Sequence, residues 1–496
     1  MADTDPLKDI ELLIRSRYGI IHVDTLEEDR AAGLVAHVAD RLELPVFAWT
    51  RTRGLQRTDR DGPVFKTIEP AQALRHVQAA RFPAIYHFRG LGPFLEDPVL
   101  AELLREAAET YSVLDGALIL TGADLALPPG VAVHSARVEL APPSLEEYRR
   151  LLTHVLRDLN ARMPVRVEMK PEDTTRLLHN IKGLTLLEAE KLLTRAIVED
   201  GRLSPEDIGA VIEAKRQIVE REGLLEYYPV EESMADVAGL DGLKTWLARR
   251  RAIITQPEKA AALGLPFPKG VLLVGVPGCG KSLCAKAVAM EWTLPLLKLD
   301  PANLYNKYIG ESERNFKRAI RTAERMAPVV LWIDEIEKAF AAAGEGDGGV
   351  SQRVLGTFLS WMQDRAGDVF VVATANDVSR LPPEFLRKGR FDEIFFVDLP
   401  GDDARRAILE IHLRRRKQSP DRFDLDAVVS ATEGFSGAEI EQVVVSALYT
   451  VLAEGTPLTT EALLHEASTT RPLSRTMAEK VAALRSWAQG RTVLAG

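Results

Sequence analysis

The residues best suited to do chemistry lie between Val271 and Ser282, which read VLLVGVPGCGKS. Four apolar residues precede the pattern GxxxxGK[ST], in which glycines let backbone amides surround phosphate oxygens. In such a loop Lys281 places a positive charge on the terminal phosphates, and the Ser282 hydroxyl suits Mg²⁺. The stretch predicts a strand, a phosphate-binding loop and a helix that together bind a nucleoside triphosphate.

Two carboxylates at the end of another apolar run point to hydrolysis. The run VVLWIDE starts at Val329 and ends with Asp334 and Glu335. A carboxylate at a strand tip can hold hydrated Mg²⁺, and its neighbour can polarise a water for attack on the γ phosphate. Alone, such a run is more often a strand end with solvated acids, so the prediction depends on the phosphate loop upstream.

An amide and two guanidinium groups follow further along the chain. Asn376 comes after an apolar run, where it could hydrogen-bond the γ phosphate and the attacking water, although it could also be a turn former. Arg387 and Arg390 flank a turn in LRKGRFD. Guanidinium groups neutralise charge in phosphoryl transfer, often from a neighbouring subunit. A solvated basic turn would explain the two arginines equally well.

The elements that position these residues alternate along the second half. Apolar runs predict strands at 271–274, 294–299, 329–333 and 369–373, and helices are expected after Lys281 and over 313–326. The fold class is therefore α/β, with a parallel sheet covered by helices on both faces. We expect a large αβ domain over 234–402 and a helical lid with a C-terminal tail over 403–496.

The first half repeats this plan. Strands are predicted at 18–23, 45–49, 84–88 and 117–121, and a capping box at Ser144 and Glu147 starts a helical part. We expect an αβ domain over 1–143, a helical subdomain over 144–223 and a linker over 224–233.

Local similarities indicate two copies of one unit. GLTLLEAEKLL from Gly183 resembles GFSGAEIEQVV from Gly434, roughly 250 residues later, as expected for a duplicated unit. The alternative is that any αβ unit followed by helices shows such matches.

If the copies are real, the first has lost its chemistry. Its counterpart of the phosphate loop is DTLEEDRA from Asp24, which has no glycine or lysine. Its three carboxylates, Glu27, Glu28 and Asp29, would repel a triphosphate. Arg89 lies near the position of the magnesium-binding carboxylate and cannot replace it.

Composition limits the classes of function. The 496 residues are 46% hydrophobic and 27% charged, which is ordinary for a soluble globular protein, and the net charge of -9 argues against a nucleic-acid-binding surface. The two cysteines, Cys279 and Cys284, exclude a disulfide framework and fit a reducing cytoplasm, or a plastid stroma in a plastid-bearing organism. Cys279 could be redox-sensitive, but a small tolerated loop side chain is the simpler account. No apolar run approaches the 18 or so residues of a membrane span, and residues 1–6 lack a signal-peptide layout.

The motifs GVPGCGKS, VVLWIDE, ATAND, LRKGRFD and GFSGAE, in this order, resemble those of the AAA ATPases from about Ala235 onward. The whole chain is most similar to the hypothetical chloroplast open reading frame 46 family of plastids and bacteria. Cys279 replaces the usual threonine of the AAA loop, and Glu337 stands where many relatives have aspartate. Neither change removes a catalytic group.

The resemblance implies a role for each motif. Ser282 and Asp334 would hold Mg²⁺, partly through water, and Glu335 would be catalytic. Asn376 would be the first sensor, and Arg387 and Arg390 would act on the adjacent protomer's nucleotide. ATP would be contacted by Asp236, Val237, Ala238, Pro277, Gly278, Cys279, Gly280, Lys281, Ser282, Leu283, His412, Gly437 and Ala438.

Two loops resemble the pore loops of the family. In KYIGESE, Tyr308 and Ile309 would face a central channel and grip polypeptide, although an exposed tyrosine could equally pack on a neighbour. The glycine-rich stretch 341–349 resembles the second pore loop in position.

We therefore expect an ATPase with ATP and Mg²⁺ as cofactors, assembled as a homo-hexamer, that remodels or threads an unidentified protein partner. The alternative is an ATP-controlled assembly switch or scaffold without threading. A nucleic-acid motor is disfavoured by the acidic balance and by the shortness of the one dense basic run, Arg414 to Lys417. A fused HExxH protease is not expected, because His465 and Glu466 lack the second histidine.

Overall fold

The computed structural model describes residues 6–25, 27–123, 125–221, 223–228, 237–300, 311–340, 350–365, 367–387 and 389–496. The predictions for Asp236, Tyr308, Ile309 and the stretch 341–349 lie outside these residues. The chain divides into two units, Met1–Leu203 and Ser204–Gly496, which are described separately.

The first unit contains eight helices and eight strands within its described residues. The helices are α1 (Pro6–Arg15), α2 (Glu28–Leu42), α3 (Pro70–Ala80), α4 (Pro98–Tyr111), α5 (Pro129–Ala132), α6 (Leu145–Asn160), α7 (Pro171–Ile181) and α8 (Leu186–Asp200). The strands are β1 (Ile20–Asp24), β2 (Val46–Thr50), β3 (Gly54–Arg57), β4 (Ile85–Arg89), β5 (Ala117–Thr121), β6 (Ser135–Glu139), β7 (Arg166–Val167) and β8 (Arg202–Leu203).

Six of these strands form a sheet in the order β3-β2-β4-β5-β1-β6. Five run parallel, and β3 pairs antiparallel with β2 at the edge. The sheet is buried on both faces, by α1 and α2 on one side and by α3 and α4 on the other. This double burial explains why its central strands read as continuous apolar runs.

The second unit contains the predicted phosphate loop. Its helices are α9 (Asp207–Glu220), α10 (Asp241–Arg250), α11 (Ala252–Thr255), α12 (Pro257–Ala262), α13 (Lys281–Trp292), α14 (Glu311–Arg325), α15 (Ile336–Phe340), α16 (Val350–Asp364), α17 (Asp402–Arg415), α18 (Leu425–Ala431), α19 (Gly437–Glu454), α20 (Thr460–Thr469), α21 (Leu473–Thr476) and α22 (Ala478–Ala488). Its strands are β9 (Leu225–Tyr228), β10 (Gly270–Gly275), β11 (Leu296–Leu299), β12 (Val329–Ile333), β13 (Val369–Ala375), β14 (Glu393–Val397) and β15 (Val493–Leu494).

These seven strands form a sheet in the order β15-β14-β10-β13-β12-β11-β9. The strand β10 is entirely buried, with Val271 and Leu273 packed toward α10 and α13 and with Leu272 and Val274 packed toward α14 and α16. The lid helices α17 to α20 have a separate core that includes Leu409, buried with the apolar side chains of α18, α19 and α20.

The predicted linker over 224–233 needs correction. Residues 225–228 form β9, which pairs antiparallel with β11, and 229–236 lie outside the described residues. The helix α9, predicted to end the first helical subdomain, groups with the second unit, and Val219 joins the core of that unit. The alternating apolar residues Leu225 and Tyr227 indicate an edge strand, whereas Pro229 favours a linker.

The two units share one strand order. The parallel strands are ordered β6-β1-β5-β4-β2 in the first and β14-β10-β13-β12-β11 in the second, and each sheet adds an antiparallel edge strand beside the last of these. Both units also contain a helix that starts with a capping box, α8 at Thr185 and α19 at Ser436. The predicted α/β fold class and the repeated plan are confirmed.

Candidate nucleotide site

Glycines shape the loop between β10 and α13. A Cβ on Gly275 would lie 2.0 Å from the carbonyl oxygen of Val397, so the loop can leave the sheet only beside a glycine. Gly278 and Gly280 have φ values of 78° and 83°, which other residues adopt at a cost. The helix α13 begins directly after Gly280, so its N-terminal amides and its dipole favour an anion at the loop.

The ammonium group of Lys281 is buried and held by the loop itself. Its Nζ atom donates to the carbonyl oxygens of Gly275 at 2.9 Å and Val276 at 2.7 Å. Burial lowers the pKa of Lys281 to about 8, partly offset by nearby acidic groups. A bound polyphosphate would favour the charged form, because it adds negative charge beside the ammonium group.

Asp334 links the strand β12 to the phosphate loop. Its Oδ1 atom accepts hydrogen bonds from the Ser282 hydroxyl at 3.0 Å and from the Thr374 hydroxyl at 2.5 Å. The chemistry of this oxygen-only set fits Mg²⁺, which is bound by one or two carboxylates together with water and substrate phosphates. No cluster of three or more His, Cys, Asp or Glu that could hold a metal occurs among the described residues.

Glu335 has a constrained position at the tip of β12. Its φ is 49°, an unusual value for a side-chain-bearing residue, and its backbone amide donates to Thr374 Oγ1 at 3.0 Å. The carboxylate accepts from Asn376 Nδ2 at 3.0 Å through one oxygen and pairs with Lys338 through the other. The structure thus brings Glu335 and Asn376, which belong to different strands, into direct contact.

Glu337 ties the end of β12 to the end of β13. It is 3% exposed, and its Oε1 atom accepts the backbone amide of Asn376 at 2.9 Å. Burial raises the pKa of Glu337, and the hydrogen bond from Asn376 opposes this effect. Glu337 therefore orients the backbone that carries Asn376.

The lid closes the site from the opposite side. The amide of Ala438 donates to the carbonyl oxygen of Gly278 at 3.0 Å, which connects the start of α19 to the phosphate loop. Burial lowers the pKa of His412 and keeps it neutral, although Glu441 opposes this shift. Arg416 lies 3.3 Å from His412 Nδ1 and donates to Glu441 at 2.8 Å.

These elements enclose a cavity of about 940 Å³, which is in the range of small-molecule sites. The predicted residues that line it are Val237, Ala238, Gly278, Cys279, Gly280, Lys281, Ser282, Leu283, Asp334, Glu335, Asn376, His412, Gly437 and Ala438. Pro277 lies in the loop but not in the lining. Arg387 and Arg390 are also outside the lining; Arg387 is exposed and Arg390 donates to the carbonyl oxygen of Glu384.

The cavity also contains residues that the sequence did not single out. Thr374 is 1% exposed, and its hydroxyl donates to Asp334 and accepts the backbone amide of Glu335. Asp398, Arg415 and Gly496 line the wall on the lid and edge-strand sides. Thr374 lies in the ATAND motif, so a polar residue inside an apolar strand was a usable signal; the others are brought in only by tertiary packing.

The cysteines are not activated. Burial raises the pKa of Cys279 to about 12, with Lys281 opposing the shift, and burial also raises the pKa of Cys284 to about 12. Both thiols stay protonated at neutral pH, which disfavours the redox-sensitive alternative for Cys279.

The corresponding loop of the first unit is occupied by its own side chains. Glu27, 12% exposed at the start of α2, accepts the amide of Leu186 at 2.8 Å, the first residue of α8. Arg30 pairs with Glu27 at 3.1 Å and with Glu147 of α6 at 2.9 Å. Arg89 binds two further carboxylates of the same segment, Glu28 and Asp29. The predicted loss of the phosphate site thus has a structural counterpart.

Comparison with known proteins shows which family models and relatives this chain matches. A family model described as ATPase family associated with various cellular activities matches 271–399, and an AAA+ lid domain model matches 422–465. Models of the N-terminal and second domains of SpoVK-like AAA ATPases match 6–140 and 146–222. The AAA domain-containing protein ycf46 of Pyropia yezoensis is 35% identical over 486 residues, 97% of each chain. This chain belongs to the ycf46 family.

Two further relatives match less than half of this AAA protein. The proteasome-activating nucleotidase of Aeropyrum pernix is 41% identical over 213 residues, 42% of this chain and 52% of the relative. The ATP-dependent zinc metalloprotease FtsH of Acidothermus cellulolyticus is 37% identical over 217 residues, 42% of this chain and 32% of the relative. The AAA protein is therefore an ATPase that binds a nucleotide and hydrolyses ATP.

Proposed function

We propose that this AAA ATPase works as a homo-hexameric ring that uses Mg²⁺-ATP to remodel or thread a protein partner. The observation that carries the proposal is the position of Arg387 and Arg390, which lie outside the nucleotide cavity of their own chain. A guanidinium group that neutralises transition-state charge must reach the phosphates, and these two residues could do so at a neighbour's site. A head-to-tail ring provides such a neighbour at every site.

Within one chain, the residues divide the chemistry. Lys281 exchanges its two loop carbonyls for phosphate oxygens, and Ser282 with Asp334 would hold Mg²⁺, which would supply positive charge for the developing charge on the phosphates. Glu335 polarises the attacking water, and Asn376, in contact with it, positions that water. Hydrolysis then requires both Arg387 and Arg390 of the adjacent protomer.

Mixing two inactive variants tests the shared site. Glu335→Gln lacks the base but keeps the arginines, whereas Arg390→Ala lacks the arginine but keeps the base. In randomly mixed rings about one site in four pairs an intact base with an intact arginine, so the ATPase rate should return to roughly a quarter of wild type. Arg380→Ala is the matched control, since Arg380 pairs with Asp377 at the surface and should leave activity unchanged. An Arg390 variant that hydrolyses ATP at full rate alone would refute the shared site.

The protein partner is inferred from the relatives. The names of the two ATPase-region relatives refer to proteasome activation and to a protease, so both work on or with proteins. Substituting Tyr308 with alanine separates threading from the assembly switch. Loss of partner remodelling with ATPase retained supports threading, and unchanged remodelling supports the switch. Among the described residues, no helix is long and apolar enough to cross a membrane.

A further inference from the structure

Residues 472–496 connect the lid to the sheet around the nucleotide site. The lid family model ends at residue 465, before this segment, which comprises α21, α22 and β15. The chain leaves the lid after α20 and returns to the edge of the sheet, where β15 pairs with β14. We call it the 472–496 segment.

On the lid side, the 472–496 segment holds the start of α19. The amide of Leu473 donates to Glu439 Oε1 at 2.6 Å, and the other oxygen of Glu439 accepts from Ser436 in the capping box. A Cβ on Gly434 would lie 2.8 Å from the hydroxyl oxygen of Ser474, so this turn is packed closely against the segment. The next residues of α19, Gly437 and Ala438, line the cavity.

On the sheet side, the segment reaches the opposite wall of the same cavity. Arg485 of α22 binds Asp398 with two nitrogens at 2.9 to 3.0 Å, and Asp398 lines the cavity. The pair is bidentate, which fixes its geometry as well as neutralising the carboxylate. Without Arg485 the wall would present an unpaired negative charge to a bound polyphosphate.

The last residues complete this wall beside α10. The amide of Ala495 donates to Phe396 at 3.0 Å, and its carbonyl oxygen accepts the amide of Leu243 at 3.0 Å. Gly496 lines the cavity next to Leu240, and a Cβ on Gly242 would lie 2.7 Å from the carbonyl oxygen of Leu494. The backbone of the segment is therefore built into the wall that continues from Val237 and Ala238.

We propose that the 472–496 segment couples the lid to the sheet and sets how tightly nucleotide is held, with Arg485 as a positioning residue that acts through Asp398. Both ends of the segment contact elements that line the cavity, so freeing one end lets the lid and the sheet move apart. Product release requires such opening in many enzymes with mobile lids. The inference rests on ATP hydrolysis at this site and does not require a ring.

The test measures ADP dissociation from the full chain by stopped flow with a fluorescent ADP, and the KM for ATP. Arg485→Ala should speed ADP release and raise KM about fivefold, while kcat falls by less than about twofold, because a half-exposed bidentate pair has a modest effect. Arg485→Lys keeps the charge but loses the fork, and we expect an intermediate effect. Arg491→Ala is the matched control, since Arg491 is an exposed arginine of the same segment that donates to Trp487.

A second measurement separates positioning from plain destabilisation. The charge-exchanged variant Arg485→Asp with Asp398→Arg should restore part of the slow ADP release if the pair itself matters. A lower Tm in Arg485→Ala with unchanged ADP release and KM would overturn the proposal. So would an equal effect of Arg491→Ala. Because ADP release requires no hydrolysis, this measurement does not depend on whether Arg390 serves a neighbour.

Discussion

Each of the two units of this AAA protein contains a sheet with the same strand order and a helix that starts with a capping box. The units differ in what fills the space between that sheet and that helix. In the second unit, glycines leave a cavity of about 940 Å³ between the phosphate loop and α19. In the first, Glu27 bridges the loop after β1 to the start of α8, and Arg30 adds a contact to α6. The strand order survives without the chemistry, because the order depends on buried apolar faces and the chemistry on a few loop residues.

In the first unit a carboxylate of the chain itself lies beside a helix N-terminus. The carboxylate of Glu27 lies at the N-terminus of α8, where the helix dipole favours an anion. A side chain thus takes the place that a bound anion could occupy. In the second unit the start of α19 contacts the phosphate loop through a neutral hydrogen bond, from the amide of Ala438 to the carbonyl oxygen of Gly278.

The largest expected effect comes from Lys281→Ala. If the first unit binds no nucleotide, this change should abolish ATP binding by the whole chain, because losing the partner of a buried anion costs about 3 to 5 kcal/mol, more than about a hundredfold in affinity. Isothermal titration should show one ATP per wild-type chain and none per variant chain.

Lys286→Ala is the control for this change. Lys286 lies on the same helix α13 but sits over the ring of Tyr228 at 5.5 Å instead of in the cavity. Residual binding of one ATP per Lys281→Ala chain would show that the first unit retains a site, and the comparison of the two units would fail.

A smaller effect is expected from Glu27→Ala, which removes the side chain that fills the cleft of the first unit. Glu27→Ala removes charged hydrogen bonds to Leu186 and Arg30, and their loss should lower the free energy of unfolding by about 1.5 to 3 kcal/mol. Faster hydrogen exchange in the first turn of α8, with an unchanged KM for ATP, is the expected signature. Glu190→Ala, at an exposed position on the same helix, should change neither. Unchanged exchange in Glu27→Ala would show that the ion pairs do not hold the cleft closed.

The pH dependence of ATP binding should report only on the second unit. In the free protein Lys281 loses its proton above pH 8, because burial lowers its pKa to about 8. Bound phosphate favours the protonated form, so binding takes up a proton at higher pH. Affinity should be nearly constant up to about pH 8 and then fall by up to about tenfold per pH unit. Lys281→Arg should lack this fall, since arginine stays charged. A flat wild-type profile to pH 9.5 would contradict the assignment.

The smallest effect is expected at Cys279. Its pKa, raised to about 12 by burial, makes the thiolate fraction at neutral pH roughly a thousandfold lower than for a free thiol. Cys279→Thr should therefore change kcat and KM by less than about twofold. Labelling by iodoacetamide, followed by mass, should be slow and slower still with ADP. Rapid labelling that stops ATP hydrolysis would show an activated thiol. Both cysteines lie in the second unit, so the label reports on that site alone.

Short apolar runs predicted the central strands well because those strands are buried on both faces. The strands β5 and β12 have the predicted bounds, and β10 and β13 extend by one or two residues. In the two large sheets the strands β3, β6, β9, β14 and β15 were missed, and all of these but β14 lie at an edge. Edge strands are short and half-buried, so their sequences resemble loops until the neighbouring strand supplies the hydrogen bonds.

The residues of the site also fall into two groups, those that local motifs predict and those that only tertiary contacts bring together. Local motifs identified Lys281, Asp334 and Glu335, since loop and strand-end chemistry depends on adjacent residues. The contacts of Asp398 with Arg485 and of Glu27 with Leu186 join residues far apart in the chain, and no local pattern encodes them. The role proposed for Arg387 and Arg390 depends on a second chain, which a single sequence does not contain.

The hydrogen bonds from Lys281 to Gly275 and Val276 reduce what a ligand gains by binding this loop. Because the ammonium group is already satisfied by two carbonyls, a ligand gains only the difference between its own contact and the bonds that it displaces. A single phosphate ion gains little by this exchange. A polyphosphate also reaches the amides of the loop and of α13, so the resting enzyme discriminates by ligand length before any base is recognised.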